Sequence, residues 1–285
     1  MKNLIIDSFM FFNEIKMLKA RLDYLNDTVD YFILVESREV HQDTMEKKKL
    51  YYEENKDEFK EYQDKIIHVI VDELPKTTKK TDYHALGWER ENYNRNCISI
   101  GLDRLKNSGK LQEQDIILVS DLDEFPNKVI LKEIIENMKK DRGKVETFCL
   151  KGLHFCYSLE NVACSDGINY DQWGCTSACT YKDLLELFEG KVQNLKHNSS
   201  KYNNIYENSA WHLGWFGDGK TVKAKASACA DPIAPTNKSA DEWKQQIKNR
   251  ADPCWCRENY LKYVPLGTLD DLPHNYKFIS ELFKL

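Results

Sequence analysis

The sequence predicts an α/β protein with a mostly parallel sheet flanked by helices, and three features of its first half carry that reading. Short apolar runs alternate with amphipathic stretches of helical period, the run at 31–35 is uninterrupted, and the runs end on polar or acidic residues. A strand covered by helices on both faces is apolar on both faces, so parallel strands read as continuous hydrophobic runs. Strand–helix–strand order then implies right-handed crossovers, with ligands held beyond the carboxyl ends of the strands.

Leu4, Ile5 and Ile6 open the first strand, which runs towards Phe11 and Phe12. Asn13 is placed to cap a helix carrying Ile15, Leu18, Leu22 and Leu25 on one face. Residues 31–35 (YFILV) form the second strand, and the charged, Tyr-rich residues 46–62 read as a solvated helix. Residues 66–71 form the third strand, closed by Asp72, Glu73 and Pro75, and the loop PKTTKKTD leads to a helix over 88–105. Residues 115–119 (DIILV) form the fourth strand, and from Asn127 a helix turns Ile130, Ile134 and Met138 inward. Glu36, Ser37, Asp72 and Asp121 thus fall at or just past strand ends. From about residue 145 the pattern shifts to short strand-like runs (TFCLKGLHFCYSL, TSACTY) and polar loops, with Trp173, Trp211, Trp215 and Phe216 among dense aromatics. No linker or repeat divides residues 1–285, which read as a single domain.

Composition narrows the function. With 41% hydrophobic and 31% charged residues the chain is globular. A formal charge of −5 leaves no basic surplus for a nucleic-acid backbone, so no nucleic-acid partner is expected. The first apolar run is broken by Asp7 and Ser8, and no stretch reaches the roughly 18 apolar residues of a membrane span. A cytoplasmic protein without signal peptide or anchor is expected. The nine cysteines, including Cys254-x-Cys256 and Cys175-x3-Cys179, fit no zinc-finger spacing and read as free thiols.

Three segments can carry chemistry. In IILVSDLDEFP (116–126) a buried strand delivers Asp121 and Asp123 into the open, where two carboxylates suit a hard divalent cation such as Mn²⁺ or Mg²⁺. The bland alternative is an acidic loop capping the next helix. In WERENYNRN (88–96) Arg95 lies one helical turn from Glu91, and arginine with asparagine on one helix can hold a diphosphate or ribose; a solvated charged face explains the segment equally. In AWHLGWFGDGKT (210–221) the pattern G-x-x-x-x-G-K-T is present from Gly214 to Thr221. Only four strand-like residues precede it and no long helix follows, so it reads as coincidental. His212 in this segment is a candidate cation ligand, and Lys220, Lys223 and Lys225 add positive charge.

These segments, together with FFNEIKMLKARLDYL and VDYFILVES, resemble glycosyltransferase family 17, the family of the bisecting β-1,4-N-acetylglucosaminyltransferase. The likeness covers the first 126 residues in order and returns at WHLGWFG. It implies a GT-A-type (Rossmann-like) fold with a nucleotide-sugar half (1–126) and a mixed, acceptor-binding half (127–285). It further implies an inverting, metal-dependent transfer of a sugar, N-acetylglucosamine first among them, from a UDP-sugar to a glycan or glycoprotein. By the same resemblance Asp123 binds the metal directly, Asp121 binds the metal or the ribose, and His212 is a distal metal ligand. Asn13 and Glu36 lie near the nucleoside, and Arg90, Arg95 and Asn96 line the nucleotide side with Asp121 and Lys220. For the general base the aromatic half offers Asp218, Asp171 and Glu207, with Asp218 favoured by its closeness to His212. Two other classes use the same residues: a D-x-D phosphohydrolase with Asp121 as nucleophile, and a non-catalytic glycan-binding module.

Overall fold

The computed structural model describes residues 3–42, 48–76, 83–138, 147–197, 199–230, 238–254, 257, 260–269 and 272–284. The first half contains β1 (Ile5–Phe11), α1 (Ile15–Leu25), β2 (Tyr31–Ser37), a one-turn α2 (Tyr51–Glu54) followed by a 3-10 segment (Lys56–Tyr62), and β3 (Ile66–Val71). Then come α3 (Tyr83–Asn96), α4 (Ile98–Asn107), β4 (Ile116–Asp121), β5 (Glu124–Pro126) and α5 (Lys128–Met138). The second half holds β6 (Thr147–Cys156), β7 (Asn161–Ala163), β8 (Gln172–Thr180), α6 (Tyr181–Phe188), α7 (Val192–His197) and β9 (Asn204–Gly214). It closes with α8 (Gly219–Ala228), α9 (Ala240–Lys248), β10 (Leu261–Tyr263) and α10 (Tyr276–Leu282).

All ten strands belong to one sheet, ordered β10-β7-β6-β8-β4-β1-β2-β3 with β9 beside β6 and β5 beside β9. The run β4-β1-β2-β3 is parallel, as expected. Beyond β4 strand direction varies: β8 is antiparallel to β4 and β6, β7 is antiparallel to β6 and β10, and β5 is antiparallel to β9, whereas β9 is parallel to β6. The sheet as a whole is therefore mixed rather than mostly parallel. No helix lies between β6 and β8. Without a crossover the chain can only return alongside itself, and that makes the pairing antiparallel.

Each central strand feeds two cores, because successive side chains point to opposite faces. Phe9, Phe32, Leu34 and Leu118 pack with Leu18, Leu22 and Leu25 of α1 on one face. Ile6, Ile33, Val35 and Val119 pack with Ile98, Leu102 and Leu105 of α4 on the other. Gly101 sets the spacing of that second layer, since a Cβ there would stand 2.6 Å from Ile33 Cγ2. Some boundaries differ from the expectation. The helix read over 88–105 is two helices broken at Cys97, and the stretch 46–62 is the short pair around residue 55, with residues 46 and 47 outside the described set. Glu14, not Asn13, flanks α1, with its Oε2 accepting from the backbone N–H groups of Phe12 (3.3 Å) and Asn13 (3.1 Å).

One buried cation joins these layers. Arg21 of α1 is fully buried and meets Asp7 of β1 edge to edge, Nε to Oδ2 at 2.8 Å and Nη2 to Oδ1 at 2.7 Å. Its Nη1 donates to the carbonyl oxygens of Glu124 (2.6 Å), Leu122 (3.1 Å) and Asp121 (3.3 Å), and Nη2 donates to Ser120 Oγ (2.5 Å). The guanidinium also stacks near the Phe9 and Phe125 rings, 4.9 and 5.6 Å from their centroids. Arg21 therefore shapes the turn that carries Asp121 and Asp123. Replacing Arg21 with Met should destabilise the protein by about 3–5 kcal/mol, because Asp7 is left buried and unpaired. Urea denaturation checks this; a loss below about 1 kcal/mol would show that the pair is not what orders the turn.

Candidate active site

The turn after β4 presents three carboxylates, and each is met by its own cation. Arg95 of α3 donates from Nη1 to Asp121 Oδ1 at 2.6 Å while its Nη2 reaches Glu91 Oε1 at 2.5 Å. Lys225 of α8 donates to Asp123 Oδ2 at 2.5 Å and lies 3.8 Å from Glu14 Oε1. Lys196 of α7 donates to Glu124, whose carboxylate also accepts the Asp121 N–H at 2.7 Å. Burial opposes ionisation of Asp121 and Asp123. Neighbouring groups outweigh it, Arg95 and Lys196 at Asp121 and Lys225 and the His212 imidazole at Asp123, and hold both carboxyls well below the usual range. At Glu124 burial prevails over Lys196 and pushes the carboxyl up.

Strand register brings the distant histidine segment here. Glu124 of β5 pairs with His212 of β9, which sets His212 Nε2 3.6 Å from Asp123 Oδ1. On the other side of β9, His154 of β6 is the cross-strand partner of His212, and the two imidazoles stack with centroids 4.4 Å apart and planes 9° from parallel. Gly214 allows this, because a Cβ there would lie 2.8 Å from His154 Nε2. Trp173, nearly half exposed, leans over both rings at 5.3 and 5.4 Å. Burial, reinforced by His212, drives His154 well below its ordinary value, so it is neutral.

Asp121, Asp123, His154, His212, Trp173 and Lys225 line a cavity of about 400 Å³, closed on the β1 and β2 side by Phe12, Val40 and His41. It lies beyond the carboxyl ends of β1, β2 and β4. A second groove of about 1190 Å³ shares Glu14, Asp123, Trp215 and Lys225 with it. Trp215, on this shared wall, has φ 62°, a left-handed conformation that costs a bulky residue about 1–3 kcal/mol. Its ring stacks on Trp243 at 6.0 Å, with Lys225 Nζ 5.9 Å above it.

The residues expected at the site divide accordingly. Asp121, Asp123 and His212 come together in the first cavity; Asn13, Asp218 and Lys220 line the second groove. Arg95 stands behind Asp121. The others line neither. Arg90 clamps the Val40 carbonyl (2.9 Å), the Pro75 carbonyl (3.0 Å) and Glu39 (3.1 Å), and Asn96 Oδ1 accepts the Gln193 N–H at 3.0 Å. Glu36 is buried, accepting from the N–H groups of Tyr51 (2.6 Å) and Tyr52 (3.2 Å) and from Lys48 (3.1 Å), so it ties α2 to β2. Asp171 accepts from Ser165 N–H (2.9 Å) and Oγ (2.5 Å), and Glu207 faces Lys151 at 3.4 Å. Glu14, His154 and Lys196 were not legible as site residues; only register and helix packing bring them to the turn.

The strand that ends at Gly214 is longer than expected, β9 having eleven residues with Gly214 as its last. The G-x-x-x-x-G-K-T pattern still forms no phosphate cradle, because Asp218 Oδ1 accepts the Thr221 N–H (2.9 Å) and hydroxyl (2.8 Å) where an anion would bind. Eight cysteines lie among the described residues and all are free thiols; Cys256 lies outside them. Among the described residues no three His, Cys, Asp or Glu side chains form a ready-made metal cage, and no helix is long and apolar enough to cross a membrane.

This layout is that of an α/β enzyme with its site at the carboxyl edge of parallel strands. The sequence profile of glycosyltransferase family 17 matches residues 1–237, and the chain belongs to that family. It is an enzyme that transfers sugars, which sets aside the phosphohydrolase and the non-catalytic module. No curated protein matches the chain. Among solved structures, the crystal structure of 4-diphosphocytidyl-2C-methyl-D-erythritol synthase is similar with a TM-score of 0.42 and 12% identity, over 72% of this chain and 90% of that one.

His41 on the cavity wall gives a pH test. Burial, then the charges of Arg95 and Arg90, bring it from 6.5 down to about 3. As pH falls below about 6.5 the unfolded chain takes up a proton that the folded chain refuses, so this contribution to stability is full above that pH and drains towards about 3. Unfolding free energy should therefore fall between neutral and mildly acidic pH, and His41→Gln should make the fall shallower. Equal slopes for the two proteins would contradict the assignment.

Proposed function

We propose that this chain is a metal-dependent, inverting glycosyltransferase that moves a sugar, N-acetylglucosamine first among the candidates, from a UDP-sugar to a glycan acceptor. The observation that carries the reading is Asp123 beside His212, with Lys225 between them and the shared wall, in an aromatic-walled cavity at the strand ends. One carboxylate and one imidazole 3.6 Å apart fit two positions around a divalent cation, leaving the rest to diphosphate oxygens and water. A mixed oxygen and nitrogen set favours Mn²⁺ over Mg²⁺, which prefers oxygen throughout. When bound, such a cation offsets the charge that gathers on the departing diphosphate.

The protein's own groups do the rest. The uridine lies between Phe12 and Val40, and Lys225 leaves Asp123 to meet the diphosphate. Asp121, held by Arg95, faces the ribose. The acceptor hydroxyl enters through the second groove, loses its proton to a carboxylate, and attacks the anomeric carbon as UDP leaves, which inverts that carbon. Glu14 is the better base, since it lines both cavities. Asp218 is the second position, its Oδ1 capping α8 by accepting from the Thr221 N–H and hydroxyl.

Because Lys225 occupies Asp123 Oδ2, Mn²⁺ alone must displace an ammonium, whereas UDP offers that ammonium a new partner. UDP with Mn²⁺ should therefore raise the thermal midpoint by more than the two separate shifts added together. At about 100 times its Kd a ligand adds roughly 2.7 kcal/mol, well within reach of the measurement. Asp123→Ala should abolish the synergy and lower sugar transfer by about two to three orders of magnitude. Full transfer by that variant, or equal stabilisation by UDP with and without Mn²⁺, would sink the metal assignment.

A further inference from the structure

The second groove differs from the first in charge. Lys16, Lys220, Lys225, Lys244, Lys248 and Lys284 converge on it from α1, α8, α9 and the segment after α10, in a chain whose formal charge is −5. Four carboxylates, of Glu14, Asp123, Asp218 and Asp241, also line it. Lys225 already answers the first two, Asp218 is committed to the α8 cap, and Asp241 stands in the first turn of α9, where the helix dipole favours it. Among the described residues Lys16, Lys220, Lys244 and Lys248 form no ion pair within 4 Å; Lys220 lies near enough to Asp218 to help lower its carboxyl, and Lys16 Nζ stands 6.0 Å from the Phe283 ring centroid.

Three of these lysines sit where the local fold disfavours them. Lys16 and Lys220 each occupy the first turn of a helix, α1 and α8, where the macrodipole is positive; the acidic caps Glu14 and Asp218 offset it, and both carboxylates are already engaged, Glu14 with backbone N–H groups and Lys225, Asp218 with Thr221. Lys244 stands one turn before Lys248 on α9, a like-charge pair that weakens a helix by a few tenths of a kcal/mol. Lys248, in the last turn of α9, is accounted for by the dipole alone and adds nothing to the argument. The groove floor is aromatic: Trp215 adjoins Phe216, whose ring meets Phe283 edge to face at 5.3 Å. Unpaired ammonium groups around an aromatic floor match a ligand with negative groups on a body of C–H faces.

We propose that the groove binds the acceptor and that the acceptor is an anionic saccharide, carrying carboxylate or phosphate groups. The assignment rests on the glycosyltransferase reading of the adjoining cavity. The groove shares Asp123 with the donor cavity, so a sugar held against its aromatic residues presents a hydroxyl towards the donor. The lysines hold the charged substituents and keep neutral glycans from competing.

The test is calorimetric titration of the full chain with trigalacturonic acid, mannose 6-phosphate and neutral maltotriose, at low and high salt, with UDP plus Mn²⁺ titrated separately. At least one anionic sugar should bind about tenfold or more tightly than maltotriose, and added salt should weaken it. The Lys244→Glu/Lys248→Glu protein should lose about tenfold or more of that affinity and bind UDP plus Mn²⁺ as before. The milder Lys244→Gln/Lys248→Gln protein should show a smaller loss in the same direction. Which anionic sugar binds separates carboxylate from phosphate recognition. Equal binding of maltotriose, no binding of either anionic sugar, or anionic binding indifferent to salt and charge reversal would overturn the proposal. Anion binding without any UDP and Mn²⁺ binding would sink the donor reading and leave the groove standing; the converse would sink the groove alone.

Discussion

The Asp7–Arg21 pair is the interaction on which the rest of the structure depends. A guanidinium taken fully out of water is tolerated only when its donors are matched, and here the acceptors come from a neighbouring strand and from the β4–β5 turn. The same group thus joins α1 to the sheet and bends the Asp121–Glu124 backbone so that its carbonyls point inward. Their carboxylates are left facing the cavity or its flanks. A turn with several like charges is poorly disposed to hold one shape, and the buried arginine supplies a template for it. Energetically the pair is better seen as specifying a geometry than as adding stability, since a well-packed apolar replacement of both partners is often no less stable.

Around this template the charges alternate. Glu91, Arg95 and Asp121 form one short row; Lys196 with Glu124 and Lys225 with Asp123 form two more. Each cation comes from a different helix, so the helices report on the turn and the turn on the helices. Such an arrangement is organised before any ligand arrives, and a preset field of this kind does not have to reorganise as charge moves during a reaction. It also means that an entering anion or cation exchanges partners with the resident charges rather than meeting bare ones. Lys225 is the clearest case, standing between Asp123 and Glu14 on the wall that the two cavities share.

The sheet solves a second problem, the joining of two halves with different strand logic. The parallel half supplies buried strands whose ends converge, and the mixed half supplies β6 with β8 antiparallel and β9 parallel to it, which carry His154, Trp173 and His212 on adjacent strands. The stacked imidazoles are a consequence of that register, and Gly214 clears the space they need. Trp215 is held in a left-handed conformation at the junction, a local cost accepted where the cavity and the groove meet.

The sequence by itself determined the parallel half and the carboxylate turn. Continuous apolar runs such as YFILV and DIILV mark strands buried on both faces, and Asp121 and Asp123 directly after such a run have few other places to be. It could not determine the antiparallel pairing, because β6 and β8 mix apolar and polar residues and their direction depends on a connection without a helix. Nor could it separate site residues from structural ones when both are charged. Arg90 and Glu36 carry the same chemistry as Arg95 and Asp123, yet neither lines the cavity: Arg90 clamps the backbone behind its wall at Val40, and Glu36 holds the start of α2. Only the tertiary structure decided that Lys225, Lys196, Glu14 and His154 meet the turn. Helical period and strand alternation are local signals, whereas a pairing such as Glu124 with His212 spans nearly ninety positions of chain and is set by packing alone.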